Sequence, residues 1–228
     1  VQMTNFHDLK DKVAIVTGGG TGIGLAIATE MARAGIKVVV ASRNKEHLDK
    51  AAREVQSLGG QCLVVPTDVR KVEEVENLVQ KTMDQFGRID ILVNNAGASF
   101  RAPFENITPN GWDTIININL RGTFLCCNMA GKVMIKQQKG NIINISSIAG
   151  RDASPFAAHY GAAKAAIMNL TKSLSVEWAT HNIRVNCIAP GPVVTEGYLG
   201  VLAKGGFAEP PKTHQALGRW GQPIEIAK

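Results

Sequence analysis

A chain of 228 residues with 45% hydrophobic side chains fits one α/β domain with a buried core. The 25 Lys and Arg outnumber the 19 Asp and Glu, a net charge of +6, but they are scattered. That scatter argues against a nucleic-acid partner and suits a phosphate-bearing small molecule. No apolar run has membrane-spanning length, and the N-terminus carries no signal pattern. Cys62, Cys126, Cys127 and Cys187 lack metal-ligand spacing, and adjacent Cys126 and Cys127 would point apart on a helix. We therefore expect no metal, no membrane insertion and a reducing intracellular compartment.

Short β-branched runs alternate with longer amphipathic ones. Val13–Val16 predicts the first strand, with a helix over about 23–34 after a run of glycines. Lys37–Val40 is the second strand, and 45–58 a helix with a charged face. Cys62–Val65 is the third strand. The helix over 72–86 has Val72, Val75, Leu78, Val79 and Met83 at helical spacing. Ile89–Val93 is the fourth strand, and a long helical stretch runs from Pro109 to about Gln137. Asn141–Ile145 is the fifth strand, 157–180 a helix and Arg184–Ile188 the sixth strand. The strands are apolar throughout, which predicts burial on both faces. The expected fold is a Rossmann-type, doubly wound parallel sheet flanked by helices on both faces, one domain over 1–228. Residues 193–222 are aperiodic and rich in Gly and Pro, and read as a mobile lid or substrate-binding loop. Pro223–Lys228 reads as the start of another helix, and a domain of this type is expected to continue beyond it.

Gly18, Thr21, Gly22, Ile23 and Gly24 occupy the first strand-to-helix turn. Glycines there let the backbone turn tightly and approach phosphates, whose charge is favoured at a helix N-terminus. A glycine turn without ligand is the plain alternative, and its placement argues against it. The second strand ends in Ala41-Ser42-Arg43-Asn44. A site preferring NAD would place an acidic residue where Ser42 stands. A guanidinium instead binds a 2′-phosphate in a forked geometry, so Ser42 and Arg43 favour NADP(H). Asp68, with Val69 beside it, is a candidate for the adenine edge; helix capping is its alternative. Asn95, Ala96 and Gly97 end the fourth strand with small residues over which a cofactor can lie.

Tyr160 and Lys164 lie one above the other on a helix, four residues apart. An ammonium beside a phenol favours the phenolate, moving a group of pKa about 10 towards working pH. Neighbouring His159 turns to another face, where packing or surface is expected.

The chain resembles the short-chain dehydrogenase/reductase family. The matching segments are the turn at 17–24, Asn94-Asn95-Ala96-Gly97, Asn119 in Asn117-Ile118-Asn119-Leu120, Ser146-Ser147-Ile148-Ala149-Gly150, Tyr160 to Lys164, and Pro190-Gly191. They stand in the family's order and cover nearly the whole chain. The resemblance implies that Tyr160 is the acid in reduction and the base in oxidation. It implies that Lys164 holds the nicotinamide ribose and that Ser147 hydrogen-bonds the substrate carbonyl. Ser146, a strand neighbour, should face the other way. Asn119 would hold a water that relays protons to Lys164. Pro190, Gly191, Val193 and Thr195 would flank the nicotinamide. Ala41-Ser42-Arg43 and the stretch 188–197 resemble peroxisomal enoyl-CoA and dienoyl-CoA reductases. NADPH-dependent reduction of a ketone or 3-oxoacyl thioester is the favoured expectation, and enoyl or dienoyl thioester reduction the second. A nucleotide-binding regulator without turnover would be expected to lack Tyr160 or Lys164. The resemblance further implies a cytoplasmic or peroxisomal homo-oligomer, usually a tetramer, with the helices from Pro109 and Ala157 pairing between subunits. Ile167, Leu170, Leu174 and Trp178 offer apolar faces for that pairing.

Overall fold

The computed structural model describes residues 9–204 and 217–228. Six parallel strands, β1 (Val13–Thr17), β2 (Lys37–Ser42), β3 (Cys62–Pro66), β4 (Ile91–Asn94), β5 (Gly140–Ile145) and β6 (Ile183–Ile188), form one sheet in the order β3-β2-β1-β4-β5-β6. The chain first winds outward from β1 to β3, then returns to add β4 on the other side of β1. The order therefore reverses between β1 and β4, and loops leaving their C-terminal ends separate to form a crevice.

Burial follows from the pleat. Every residue of β1 is buried, and alternate side chains enter different cores. Val13 and Ile15 join a cluster with Val75 and Leu78 of α3 (Val72–Phe86) and Leu125 and Cys126 of α5 (Gly122–Gln137). Ala14 and Val16 join Ile27 and Ala28 of α1 (Gly22–Arg33) and Leu48 and Val55 of α2 (Lys45–Ser57). The expected two-faced parallel sheet is thus the observed one.

Local chemistry sets the helix ends. The Asn44 side chain accepts from the His47 N–H and starts α2. Thr108 accepts from Gly111 N and Pro109 fills the first turn, starting α4 (Pro109–Ile116). The long helical stretch from Pro109 is continuous but not uniform. Between α4 and α5 it widens into a π turn over Asn117–Arg121, and that turn carries Asn119. Apolar periodicity does not distinguish a π turn from an α turn, so the distortion was not legible.

Helix α6 (Ala158–Glu177) packs beside β5 and β6. Ile167 and Trp178 are buried, Trp178 in the same core as α3 and α5, and Leu174 packs against that core. Leu170 is half-buried. Ile167, Leu174 and Trp178 therefore serve the interior of this chain, which leaves Leu170 as the one of the four that is neither buried nor packed against a core cluster.

The stretch 193–222 also departs from expectation. Glu196–Lys204 is helical (α7), despite its two glycines. Val193 pairs with Gly221 in an isolated bridge, which brings the two described ends of the stretch together. Residues 205–216 of the expected loop lie outside the described residues. Pro223–Ala227 forms a short helix, α8, with a capping box between Gln222 and Glu225, as the sequence suggests.

Candidate active site

Two cavities lie along the crevice at the C-terminal ends of β1 and β4. One, of about 640 Å³, is walled by Ser42, Arg43, His47, Asp68 and Val69. The other, of about 590 Å³, is walled by Asn119, Ser147, Tyr160, Lys164, Pro190 and Thr195. Gly18, Thr21, Ala96 and Gly97 belong to both, so the crevice is continuous past the glycine turn.

The turn itself is built for close approach. Gly18 has φ +64°, and a Cβ there would stand 2.8 Å from Asn95 Nδ2 and 3.1 Å from Ala96 Cα. Thr21, the N-cap of α1, makes no side-chain cap, so the first amides of that helix have no side-chain oxygen on them. A phosphate-bearing dinucleotide fits both features: exposed amides at a helix N-terminus and a glycine floor. Ile23 and Gly22 continue the same wall, whereas Gly24 is buried where α1 meets the turn.

Thr17 holds the turn to β4 and was not anticipated from sequence. Its hydroxyl accepts from the N–H groups of Asn95 and Ala96 at 3.0 and 3.1 Å. The Asn95 amide donates to the carbonyls of Thr17 and Gly18 at 3.0 and 3.3 Å. Asn95 therefore positions the glycine turn through its side chain, a job its expected place at the cofactor did not suggest. A threonine ending a strand has too little local signature to reveal this.

At the other end of the crevice, Arg43 is exposed and has no carboxylate within ion-pair distance among the described residues. Ser42 Oγ lies 3.4 Å from the Asn44 carbonyl. Asp68 lines this cavity, but its carboxylate is already committed. Arg70 holds it with three contacts of 2.5 to 3.0 Å, and the Arg70 N–H donates to it as well. These bonds hold the Asp68 carboxyl below the usual carboxylate range, against the effect of burial. Any contact to an adenine must share that carboxylate with Arg70.

The opposite end gathers the hydroxyl, phenol and amine. Ser146 Oγ donates to the Lys164 carbonyl at 2.8 Å, which ties β5 to α6 and turns Ser146 away from the cavity's chemistry. Ser147, one residue on, lines the cavity. Its Oγ accepts from Ala149 N at 3.2 Å, and its hydroxyl is also hydrogen-bonded to the Tyr160 phenol. Tyr160 stands across from it on α6. Lys164, one turn further, is buried, with its ammonium 5.5 Å from the Tyr160 ring centroid and 2.8 Å from the Ile145 carbonyl. An ammonium has three donors, so that single bond leaves two.

Electrostatics here differ from expectation. Burial pushes the Tyr160 phenol above its ordinary value, and its bond with Ser147 only partly opposes this. Burial also lowers Lys164 to about 8. Desolvation is the largest influence on both groups.

Asn119 is wholly buried. Its Nδ2 donates to the Ala98 and Ile115 carbonyls at 2.8 and 2.9 Å, and its Oδ1 has no protein partner. A Cβ at Gly97 would lie 2.6 Å from that oxygen and 3.6 Å from Lys164 Nζ, so glycine is what keeps the space between them open. Thr195 caps α7 by accepting from Tyr198 N at 3.1 Å, and Pro190 accepts from Ile148 N at 3.0 Å. Gly191 and Val193 line the same wall. His159 is fully buried with its ring edge-on to Phe100 at 4.2 Å, a packing role as expected. Among the described residues no cluster of His, Cys, Asp or Glu could hold a metal ion, and no helix is long and apolar enough to cross a membrane.

A doubly wound parallel sheet with a glycine turn at its switch point, and a phenol and buried amine beside it, defines a dinucleotide-dependent oxidoreductase architecture. The short chain dehydrogenase family model matches residues 12–199, and the chain belongs to that family. It is 39% identical to a 3-oxoacyl-[acyl-carrier-protein] reductase of Synechocystis sp. over 96% of this chain and 87% of the relative. It is 38% identical to a probable 2,4-dienoyl-CoA reductase of Bacillus subtilis over the same shares. An actinorhodin polyketide ketoreductase variant crystallised with NADPH superposes with a TM-score of 0.89 at 32% identity, covering 95% of this chain and 87% of that one. Oxidoreductase activity with a nicotinamide dinucleotide is thereby established at the level of the family.

Proposed function

We propose that the protein is an NADPH-dependent reductase of a carbonyl group, a ketone or a 3-oxoacyl thioester. The observation that carries the reading is the convergence of Ser147, Tyr160 and Lys164 on one cavity wall beside the glycine turn. The cofactor would supply the hydride and would be held by the glycine turn, Arg43 and Lys164. Hydride addition leaves alkoxide charge on the substrate oxygen. The Ser147 hydroxyl, oriented in part by the bond it accepts from Ala149 N, would donate to that oxygen. Tyr160 would deliver its phenolic proton there. Its raised pKa keeps the phenol protonated at neutral pH, which suits an acid in the reducing direction. Lys164, with two donors free, would orient the ribose and balance the phenolate left behind. Asn119 Oδ1, facing Lys164 across Gly97, would anchor a water through which the phenol is reprotonated.

Reduction of an enoyl or dienoyl thioester is the second reading, favoured by the likeness to the Bacillus subtilis relative. Loss of NADPH absorbance with a panel of ketones, 3-oxoacyl thioesters and enoyl thioesters separates the two. Turnover of carbonyl substrates and none of enoyl thioesters is the expected result; the reverse pattern refutes the carbonyl reading, and no turnover of any compound despite tight cofactor binding would make the chain a binding module. Tetrameric assembly is inferred from the family likeness and is checked by light scattering.

The choice of NADPH rests on Ser42 and Arg43. Exposed Arg43 has no carboxylate partner among the described residues, so its fork is available to a 2′-phosphate. Ser42→Asp with Arg43→Ala should lower the NADPH-over-NADH preference by about 10- to 100-fold, the worth of one charge-assisted contact. An unchanged ratio of kcat/KM for the two cofactors would refute the phosphate assignment.

A further inference from the structure

The cavity that holds Tyr160 has a basic rim which carbonyl reduction does not require. Arg101 lines it, on the segment between β4 and α4. Its guanidinium lies over the Phe156 ring, 5.6 Å from the centroid, and Nη2 is 3.5 Å from the Pro155 carbonyl. The backbone beneath is stitched across: Ala102 N donates to the Phe156 carbonyl at 2.9 Å. Phe156 itself holds a left-handed φ of +65°, an uncommon conformation for a bulky residue, which turns its ring outward at 55% exposure. The ring is thus a shelf for the guanidinium.

Arg101 has no carboxylate within ion-pair distance among the described residues. The acid of the facing segment, Asp152, is forked by Arg151 at 2.8 and 2.9 Å. A guanidinium presents five donors, and Arg101 uses one weakly. Stacking on an aromatic face limits its rotamers without consuming those donors, so little freedom is lost on meeting an anion. Hydroxyls of Ser99, Ser154 and Tyr198 line the same cavity and could share such a group.

We propose that Arg101 is a specificity-determining residue that receives an anionic group of the substrate, carboxylate or phosphate. The preferred substrates are then oxo acids or thioesters of phosphorylated carriers rather than neutral ketones. The inference rests on the reductase reading above. Its test compares three compounds with the same reacting ketone: ethyl acetoacetate, acetoacetate and acetoacetyl-CoA. For Arg101→Ala, the ratio of kcat/KM for the anionic compound to that for the neutral ester should fall about tenfold or more. Arg101→Glu should lower it further, Arg101→Lys should restore part of it, and added salt should narrow the wild-type preference. A drop confined to acetoacetate identifies a carboxylate; one confined to acetoacetyl-CoA identifies a phosphate. An unmoved ratio, including equal slowing of all three, overturns the proposal and leaves Arg101 as a loop fastener. Equilibrium binding of butyrate and butyryl-CoA to wild type and Arg101→Ala, with NADP⁺ saturating, provides a readout without turnover. Weaker binding of either probe by the variant, with no wild-type turnover, would sink the reductase reading and keep the anion site. Equal binding of both probes by the two proteins would sink the anion site whatever the turnover.

Discussion

Tyr160→Phe should lower the rate of reduction by about 10³-fold, within the range a positioned proton donor contributes. The variant keeps the ring and removes only the oxygen. Its fold should survive, because the phenol's hydrogen bond is to Ser147, and one such bond is worth about 1 kcal/mol. NADPH affinity should stay within a few-fold, since the proposed cradle is the glycine turn and Arg43. Single-turnover rates measured beside cofactor fluorescence titration check both halves. A variant that keeps near-wild-type rates would show that the proton comes from elsewhere, and the acid assignment would fall. In the oxidative direction the phenol must first lose its proton, and burial has raised its pKa. Oxidation should therefore climb with pH over a range where reduction does not.

Lys164→Met should combine a rate loss of about 10²-fold or more with weaker cofactor binding, because this amine would serve both the ribose and the phenolate. That double loss separates it from Tyr160→Phe. The same variant tests the electrostatics without any substrate. Burial lowers Lys164 from 10.5 to about 8 in the folded chain. Below about pH 8 the amine is charged both folded and unfolded, and its burial costs stability throughout. Between about 8 and 10.5 the folded chain has released the proton while the unfolded chain retains it. Unfolding then takes up a proton, so the stability contribution of this group rises with pH across that window. Above it both states are neutral and the contribution is level. Thermal melts of cofactor-free wild type and Lys164→Met across the window should diverge in this sense, the variant lacking the rise. Parallel curves would mean that the ammonium is better solvated than its burial implies.

The two variants also explain why the site had to be seen folded. Periodicity and β-branching located every strand of the sheet to within two residues at either end, because the central strands β1 and β4 are buried throughout and correspondingly apolar; edge strand β6 instead alternates, with Arg184 and Asn186 exposed. The glycine turn was legible because only glycine suits φ +64° beside Asn95 and Ala96. Ser147 could be preferred over Ser146 because successive strand residues face opposite ways, and Ser146 indeed turns to the Lys164 carbonyl. By contrast, the helix over Glu196–Lys204 was not legible because Gly197 and Gly200 interrupt a short segment inside a Gly- and Pro-rich stretch, where glycine argues for a loop.

Residue order alone therefore determined the doubly wound architecture, its glycine turn and the spacing of phenol and amine along α6. Those properties are local: they depend on side-chain period, on glycine's missing Cβ and on helix pitch. Only the tertiary structure decided the electrical state of the site. Expectation had the ammonium drawing the phenol's pKa down, whereas the packed protein raises one and lowers the other, because both groups leave water. It also decided that Asp68 is shared with Arg70, that Thr17 and Asn95 clamp the turn, and that Arg101 rests unpaired on Phe156. The Thr17–Asn95 clamp and the Arg101–Phe156 shelf join residues distant in the chain, and the shifts at Tyr160 and Lys164 depend on solvent exclusion by the whole fold, so none has a signature in a short window of sequence; the Asp68–Arg70 fork is local, two residues apart, but only the folded chain closes it.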